Sequence, residues 1–295
     1  MAGLTGTRPS WICPACGTPH LPVGADLRLP GLDIYRCSCG LGYSGLAVSG
    51  ITGESYDAEY YRHVRYAAEA GRASYTAHLA GIFGKCMKEC PPPAGGRRLL
   101  DVGCATGDFI RWALNHGWDA EGVDTSLSAV GIAQSRGIPA RVGALPDLAD
   151  QAGRLYDVIT MWDVLEHLSD PVRALASLRR ISAPGGILVL KTVSRTSIIE
   201  AMARLLYRAS FGVIEAPLRR MYVPGHLYYF TSAVLHRLLA QTGWAVTCAG
   251  QADTPARALT GSPLLGAGLA LAAQVQHATG RCYELFAAGR KSGEA

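Results

Sequence analysis

Between residues 97 and 193, short apolar runs alternate with segments in which apolar residues recur every three or four positions. "RRLLDVG" (97–103), "DAEGVD" (119–124), "IPARVGAL" (138–145), "LYDVITMWDV" (155–164) and "GGILVLKTV" (185–193) read as strands. "GDFIRWALNHG" (107–117), "SLSAVGIAQSRG" (126–137) and "DPVRALASLRRIS" (170–182) between them read as helices. Strand, helix and strand in repetition require a parallel sheet, because the return path to a parallel neighbour needs a crossover long enough to hold a helix. The fold class is therefore α/β, and an open sheet of this kind takes its ligands at the carboxyl ends of its strands.

The first such end carries "DVGCATGDF" (101–109), two acids, two glycines and a cysteine in nine positions. A glycine-rich turn alone is weak evidence, since any tight connection between strand and helix wants one. A second signal is Asp124, which ends the next strand in "GVDTS" and can accept both hydroxyls of a ribose. A nicotinamide site would place a pyrophosphate on the helix N-terminus. Asp101, two residues before Gly103, would repel it. A cationic nucleoside without phosphate suits the pair better, and S-adenosylmethionine is such a ligand.

Four of the nine cysteines fall early, Cys13 and Cys16 in "CPACG" and Cys37 and Cys39 in "CSCG". Two cysteine–glycine knuckles are what a tetrahedral thiolate site for zinc needs. The second knuckle is one residue short of the usual spacing, so reduced thiols or a redox pair remain the alternative. Residues 11–48 are short, strand-like and punctuated by Gly and Pro, as in a zinc ribbon. So small a segment cannot fold on its own apolar core, and metal would supply its folding energy. On this reading loss of zinc unfolds that segment alone. Cys104, Cys248 and Cys282 read as small buried hydrophobes.

The order of "LLDVGCATGDF", "GVDTS", "YDVITMWDVLEHLSDP", "APGGILVLKTV" and "GHLYYFTSAVLHRLLAQTGW" resembles class I S-adenosylmethionine-dependent methyltransferases, in the branch whose fourth-strand motif ends in Leu-Glu-His. Ala105 departs from that pattern, which most often has glycine there. The N-terminal segment resembles the zinc-binding segment of sugar methyltransferases. The resemblance implies a Rossmann-like seven-stranded sheet with helices on both faces, its sixth strand near "WAVTCAG" and an antiparallel seventh at "CYELFAAGR". It divides the chain into a zinc-ribbon-like module (1–50), a helical cover and linker (51–96) and the methyltransferase domain (97–295), with an insertion at about 195–225.

It also implies roles. Gly103, Ala105 and Gly107 admit the methionine moiety, and Asp101 meets its ammonium. Asp124 binds the ribose, Ala144 and Leu145 flank the adenine, and Met161 and Trp162 line the sulfonium end. Tyr60, Tyr61 and Arg62 either close over the cofactor or form a half-solvated helix face. Methyl transfer to oxygen gains from a general base, and His167 and His226 qualify. Some enzymes with this motif hold a divalent metal there, which would use Asp163, Glu166, His167 and His226. Asp163 is shorter than the Glu those enzymes carry.

The acceptor implied is a small molecule, such as a sugar or natural-product intermediate; the alternatives are an RNA methyltransferase that grips RNA with the zinc module, and a non-catalytic scaffold that binds the cofactor or a partner. RNA would want a dense basic surface. The net charge is only +5, and the N-terminal segment offers only Arg8, Arg28 and Arg36. The arginines of the insertion (Arg195, Arg204, Arg208, Arg219, Arg220) either face an anionic substrate or form a solvated surface. Residues 256–278 read as a second cover or a dimer surface. With no export signal and no apolar run of spanning length, a cytoplasmic protein is expected.

Overall fold

The computed structural model describes residues 11–20, 24–49, 69–145, 154–223, 225–256 and 263–293. Its centre is a seven-stranded sheet. Five parallel strands are β6 (Arg98–Val102), β7 (Asp119–Asp124), β8 (Ala140–Val142), β9 (Tyr156–Trp162) and β10 (Ser182–Val193). The sheet is completed by β12 (Trp244–Ala252) and β13 (Glu284–Lys291), and the order is β12-β13-β10-β9-β6-β7-β8. β13 runs antiparallel to both its neighbours. The Rossmann-like fold expected from the sequence is therefore present, antiparallel seventh strand included.

Adjacent residues of the central strands face opposite ways, as the period of two requires. Leu100, Ile159 and Leu188 enter one core with Leu175, Leu178 and Leu238, which come from α5 (Pro171–Ile181) and α8 (Ser232–Gln241). Leu99, Val158 and Val189 enter the other, with Leu79 and Phe83 of α2 (Glu69–Glu89) and Phe109 of α3 (Asp108–Asn115). Both faces are thus buried, which is why these strands read as continuous apolar runs. Asp170 and Thr231 accept from Arg173 N and Val234 N, 2.9 and 3.2 Å away, and so cap α5 and α8. No helix of the described residues is long and apolar enough to cross a membrane.

A second, four-stranded sheet builds the N-terminal segment, in the order β11-β5-β4-β3. Strands β3 (Leu27–Leu29), β4 (Leu32–Arg36) and β5 (Gly42–Ser44) come from that segment, whereas β11 (Tyr228–Tyr229) comes from far along the chain. Trp11 stacks on Tyr43 at 4.1 Å between ring centroids. Cys13, Cys37, Leu41 and Tyr43 belong to the same buried cluster as Leu100 and Leu188. The segment is continuous with the main core.

The insertion forms α6 (Ile198–Ala209) and α7 (Ala216–Met221) and packs on that N-terminal sheet. Arg195 pairs with Asp26 at 2.9 Å and Arg204 with the same carboxylate at 3.1 Å. Arg219 donates to the Pro30 carbonyl at 2.9 Å. These three arginines bind the insertion to the N-terminal segment, Arg195 and Arg204 largely buried and Arg219 42% exposed. Residues 263–279, within the stretch read as a second cover or a dimer surface, are helical. Tyr60, Tyr61 and Arg62 lie outside the described residues.

Candidate active site

The carboxyl ends of β6, β7 and β9 lie side by side, and their turns hold most of the residues singled out from the sequence. After β6 the backbone is left-handed at Gly103 (φ 73°), Ala105 (φ 48°) and Gly107 (φ 79°). A Cβ on Gly107 would come within 2.8 Å of Ile138, and one on Gly103 would collide with Val164. Packing against these two side chains is reason enough for both glycines. Ala105 carries its methyl group in a conformation that costs an L-residue about 1 kcal/mol or more. Asp124 accepts the Ala105 N–H at 2.8 Å on Oδ2, which holds the loop in place.

The other oxygen of Asp124 accepts the Ser126 N–H, also at 2.8 Å. Each carboxylate oxygen is therefore oriented by the backbone and keeps acceptor capacity for a further donor. That is what a ribose diol would use. Asp101 is buried, and Thr160 donates to its Oδ1 at 2.6 Å. Burial drives its carboxyl up to about 7; the Thr160 hydroxyl opposes the rise and Asp124 adds to it. Two acids converge here with no cation paired to either among the described residues, so the residues fit a cationic nucleoside. Gly143 N donates to the Asp124 carbonyl at 3.0 Å, which sets the approach of Ala144 and Leu145 to the same edge.

Met161 and Trp162 are both buried, on opposite faces of the sheet. Met161 is core. Trp162 packs edge-on against Phe109 at 5.0 Å, and its indole N–H has no hydrogen-bond partner among the described residues.

Beyond β9 the chain turns sharply at Asp163 (φ 54°) into a single 3-10 turn, Leu165–His167. Glu166, His167 and His226 present ligand atoms that all lie within 4.8 Å of one another. Thr192 donates to Glu166 Oε2 at 2.8 Å, while Oε1 is buried with no hydrogen-bond partner among the described residues. Burial, then the nearby Asp163 charge, pushes the Glu166 carboxyl up to about 8. His167 Nδ1 lies 3.1 Å from the Gly225 carbonyl, which can only accept. The proton therefore sits on Nδ1 and the basic lone pair on Nε2. Burial lowers the His167 pKa, which keeps the ring neutral. His226 stands against it edge to face at 4.6 Å.

Asp163 does not join this cluster as a fourth ligand. Its two oxygens take Lys191 Nζ at 2.7 and 2.8 Å, and Tyr75 donates to the same carboxylate. Lys191 also reaches Glu284 at 3.0 Å, and Glu284 reaches His78 at 2.7 Å. Sequence reasoning passed over Thr160, Thr192, Lys191 and Glu284. The signal available was a charge inside an apolar strand, Lys191 in "ILVLKTV" and Glu284 in "CYELF". Such a charge is buried only with a partner.

The four early cysteines do converge. Cys13 and Cys39 sulfurs are 3.7 Å apart, Cys16 and Cys37 sulfurs 3.6 Å. Sulfurs around a tetrahedral zinc stand about 3.8 Å apart, from a metal–sulfur bond of about 2.3 Å. The shortened second knuckle thus still brings both thiols to the cluster, and the donor set fits zinc.

The family described as a methyltransferase domain matches residues 56–249. Ubiquinone biosynthesis O-methyltransferases are similar in sequence. That of Alkalilimnicola ehrlichii is 30% identical over 115 residues, 37% of this chain and 47% of the relative. That of Cereibacter sphaeroides is 32% identical over 134 residues, 43% and 53% of the two chains. The chain thus spans about half the length of the curated relatives it matches. Among solved structures, an S-adenosylmethionine-dependent methyltransferase from Archaeoglobus fulgidus superposes with a TM-score of 0.54 at 13% identity, covering 79% of this chain and 98% of that one. Magnesium protoporphyrin IX methyltransferase from Synechocystis does so at 0.50 and 16%, covering 83% and 93%. At these identities the structural likeness speaks for the fold.

Proposed function

Because the chain belongs to the methyltransferase-domain family, we propose that it transfers a methyl group from S-adenosylmethionine to a hydroxyl oxygen of a small molecule, such as a sugar or natural-product intermediate. The O-methyltransferase relatives support oxygen as the acceptor atom. Bound S-adenosylmethionine supplies a methyl already activated on a sulfonium. The protein has only to align the acceptor and take its proton. The observation that carries the reading is His167, a half-buried imidazole held by Gly225 so that Nε2 can take the proton of an acceptor hydroxyl. With that proton taken, the acceptor oxygen would be the nucleophile for the sulfonium methyl, the products being a methyl ether and S-adenosylhomocysteine.

Label from methyl-labelled S-adenosylmethionine, incubated with extract of the source organism, is expected in the low-molecular-mass pool and absent from total RNA. Label in RNA overturns the reading. His167→Ala is expected to lower kcat by about 10²-fold or more, in the range of general base catalysis. Its affinity for S-adenosylmethionine should stay unchanged by calorimetry. A loss confined to cofactor binding contradicts the role.

On this reading Asp124 binds the ribose, and Asp124→Ala weakens S-adenosylmethionine by roughly tenfold or more, the worth of a charged acceptor to hydroxyl donors. Asp101 meets the ammonium. Its carboxyl stands at about 7 in the free protein, and a cation beside it favours the ionised form. Below that pH, binding must therefore release a proton, and affinity is expected to fall about tenfold per pH unit. Above it the affinity levels off. Asp101→Asn should flatten the profile; a wild-type affinity independent of pH between 6 and 8 rejects the assignment.

A second reading rests on the unpartnered Glu166 Oε1 beside His167 and His226. A divalent ion held by these three would polarise the acceptor hydroxyl. Activity that survives mild chelation rejects it; activity restored only by magnesium or manganese rejects the metal-free base.

The four-cysteine cluster is read as a structural zinc site formed by Cys13, Cys16, Cys37 and Cys39.

A further inference from the structure

At the same edge of the main sheet, but on its far flank, three side chains from different elements converge. Asp253 follows β12, His277 lies in the last turn of α9 (Pro263–Thr279), and Cys282 precedes β13. The Cys282 sulfur is 3.5 Å from His277 Nδ1, and His277 Nε2 is 3.7 Å from Asp253 Oδ2. One ligand atom from each lies within 4.8 Å of the other two. We propose that Asp253, His277 and Cys282 form a binding site for one transition-metal dication, separate from the four-cysteine cluster and independent of the methyl-transfer reading.

The separation of the thiol and the imidazole fits such an ion, with the carboxylate oxygen within 4.8 Å of both. With metal–sulfur and metal–nitrogen bonds of about 2.3 and 2.05 Å, ligands on a tetrahedral centre stand about 3.6 Å apart. That is close to the separation of Cys282 and His277. The turn that produces it is built by Gly280 (φ 62°), which reverses the chain after α9 and returns Cys282 to the histidine.

The carboxylate is prepared for a further bond. Its Oδ1 takes Gln276 Nε2 at 2.7 Å and Tyr283 N at 2.8 Å. Its Oδ2 is buried and makes no hydrogen bond among the described residues, and the side chain is 7% exposed. Only the long contact to His277 Nε2, 3.7 Å, faces this oxygen, and a cation would give it a close partner. The outer bonds to Oδ1 fix the carboxylate as the second shell of metal ligands usually does. Cys282 is anchored in turn by its own N–H, which donates to Gln251 at 2.7 Å.

Charge and softness point the same way. A thiolate and a carboxylate together neutralise a dication, so the buried group carries no net charge. Thiolate with imidazole selects zinc, cobalt or copper over magnesium or calcium. A nucleophilic role for the thiol fits worse. Cys282 is 1% exposed, and burial, with Asp253 beside it, pushes its thiol up to about 12. Metal binding draws that proton off to solvent. The His277 side chain is 58% exposed, which gives the ion an entry path and leaves its fourth position to water. The bound ion would clamp the end of α9 to the start of β13. There Tyr283 and Arg281 carbonyls accept from Ser194 and Ile198, the residues that launch the insertion.

The test uses the full chain, stripped of metal under reductant and titrated with cobalt(II), read by visible absorbance and elemental analysis. Wild type is expected to bind one equivalent more than His277→Ala, a substitution at an exposed side chain that leaves the core intact. Asp253→Asn keeps the Oδ1 acceptor and should weaken the same equivalent at least tenfold. Equal stoichiometry in wild type and His277→Ala overturns the proposal, and so does an Asp253→Asn variant that binds as tightly as wild type.

Discussion

Lys191→Met is expected to destabilise the protein by about 3–5 kcal/mol, the usual cost of removing one partner from a buried ion cluster. The lysine side chain is 1% exposed and Glu284 is 4% exposed. All three ammonium protons are used, two on Asp163 and one on Glu284. Methionine fills the space and supplies none of them. Among the described residues Glu284 would then keep His78 and Thr254 as partners. Burial by itself would raise the Glu284 carboxyl, but Lys191 and His78 outweigh it and hold the group at about 2. A carboxyl depressed in the fold adds stability above its unfolded value near 4 and loses it as pH falls toward 2. Wild type should therefore lose stability over that window, and Lys191→Met should lose much less there, because the contribution is already gone. Urea unfolding at pH 7 and pH 3 measures both. Adding Glu284→Gln should return part of the loss. A single variant within 1 kcal/mol of wild type would show that the cluster contributes little.

That cluster also marks the limit of sequence reading. The sheet was legible because strand and helix periodicities are local, written in neighbours two to four residues apart. Asp101 and Asp124 were legible for the same reason, each fixed at the end of a recognisable strand. The knuckles of Cys13 and Cys37 carried their own spacing. The partner of Lys191 is 93 positions away, and no local pattern tells a lysine which acid it will meet. Asp163 was implied as a metal ligand by the resemblance, and its i, i+3, i+4 spacing to Glu166 and His167 would put the three on one helical face. The left-handed turn at Asp163 breaks that helix before it starts and delivers the carboxylate to Lys191 instead. Trp162, read as lining the sulfonium end, packs edge-on against Phe109, a contact 53 positions away that no local pattern announces. β11 is two residues long, too short for any period, yet it joins two parts of the chain.

That short strand changes what loss of the four-cysteine cluster should do. Cys13→Ser with Cys37→Ser is expected to remove about one zinc per chain by elemental analysis, and the damage should not stop at the N-terminal segment. Both cysteines are buried in the core cluster that also holds Leu100 and Leu188. Tyr228 and Tyr229 pair with Tyr43 and Gly42, so the segment's sheet includes the strand that follows His226. Ser44 N donates to the Leu227 carbonyl at 2.9 Å, and Leu227 N donates to the Glu166 carbonyl at 2.7 Å. One chain of bonds therefore runs from the N-terminal sheet, whose β4 leads into Cys37, through His226's neighbour to the turn of His167. Metal binding of this type contributes roughly 10–16 kcal/mol to folding in small zinc peptides, far more than the net stability of most domains. The variant should lose protection of the Tyr228 and Tyr229 amides in hydrogen exchange, a large part of its thermal stability, and methyl transfer with it. The Asp101–Asp124 end of the site lies on β6 and β7, away from that sheet, and should keep its affinity for S-adenosylmethionine if the main sheet survives. Zinc-free protein with wild-type turnover would show that the N-terminal segment does not hold the acceptor side of the site.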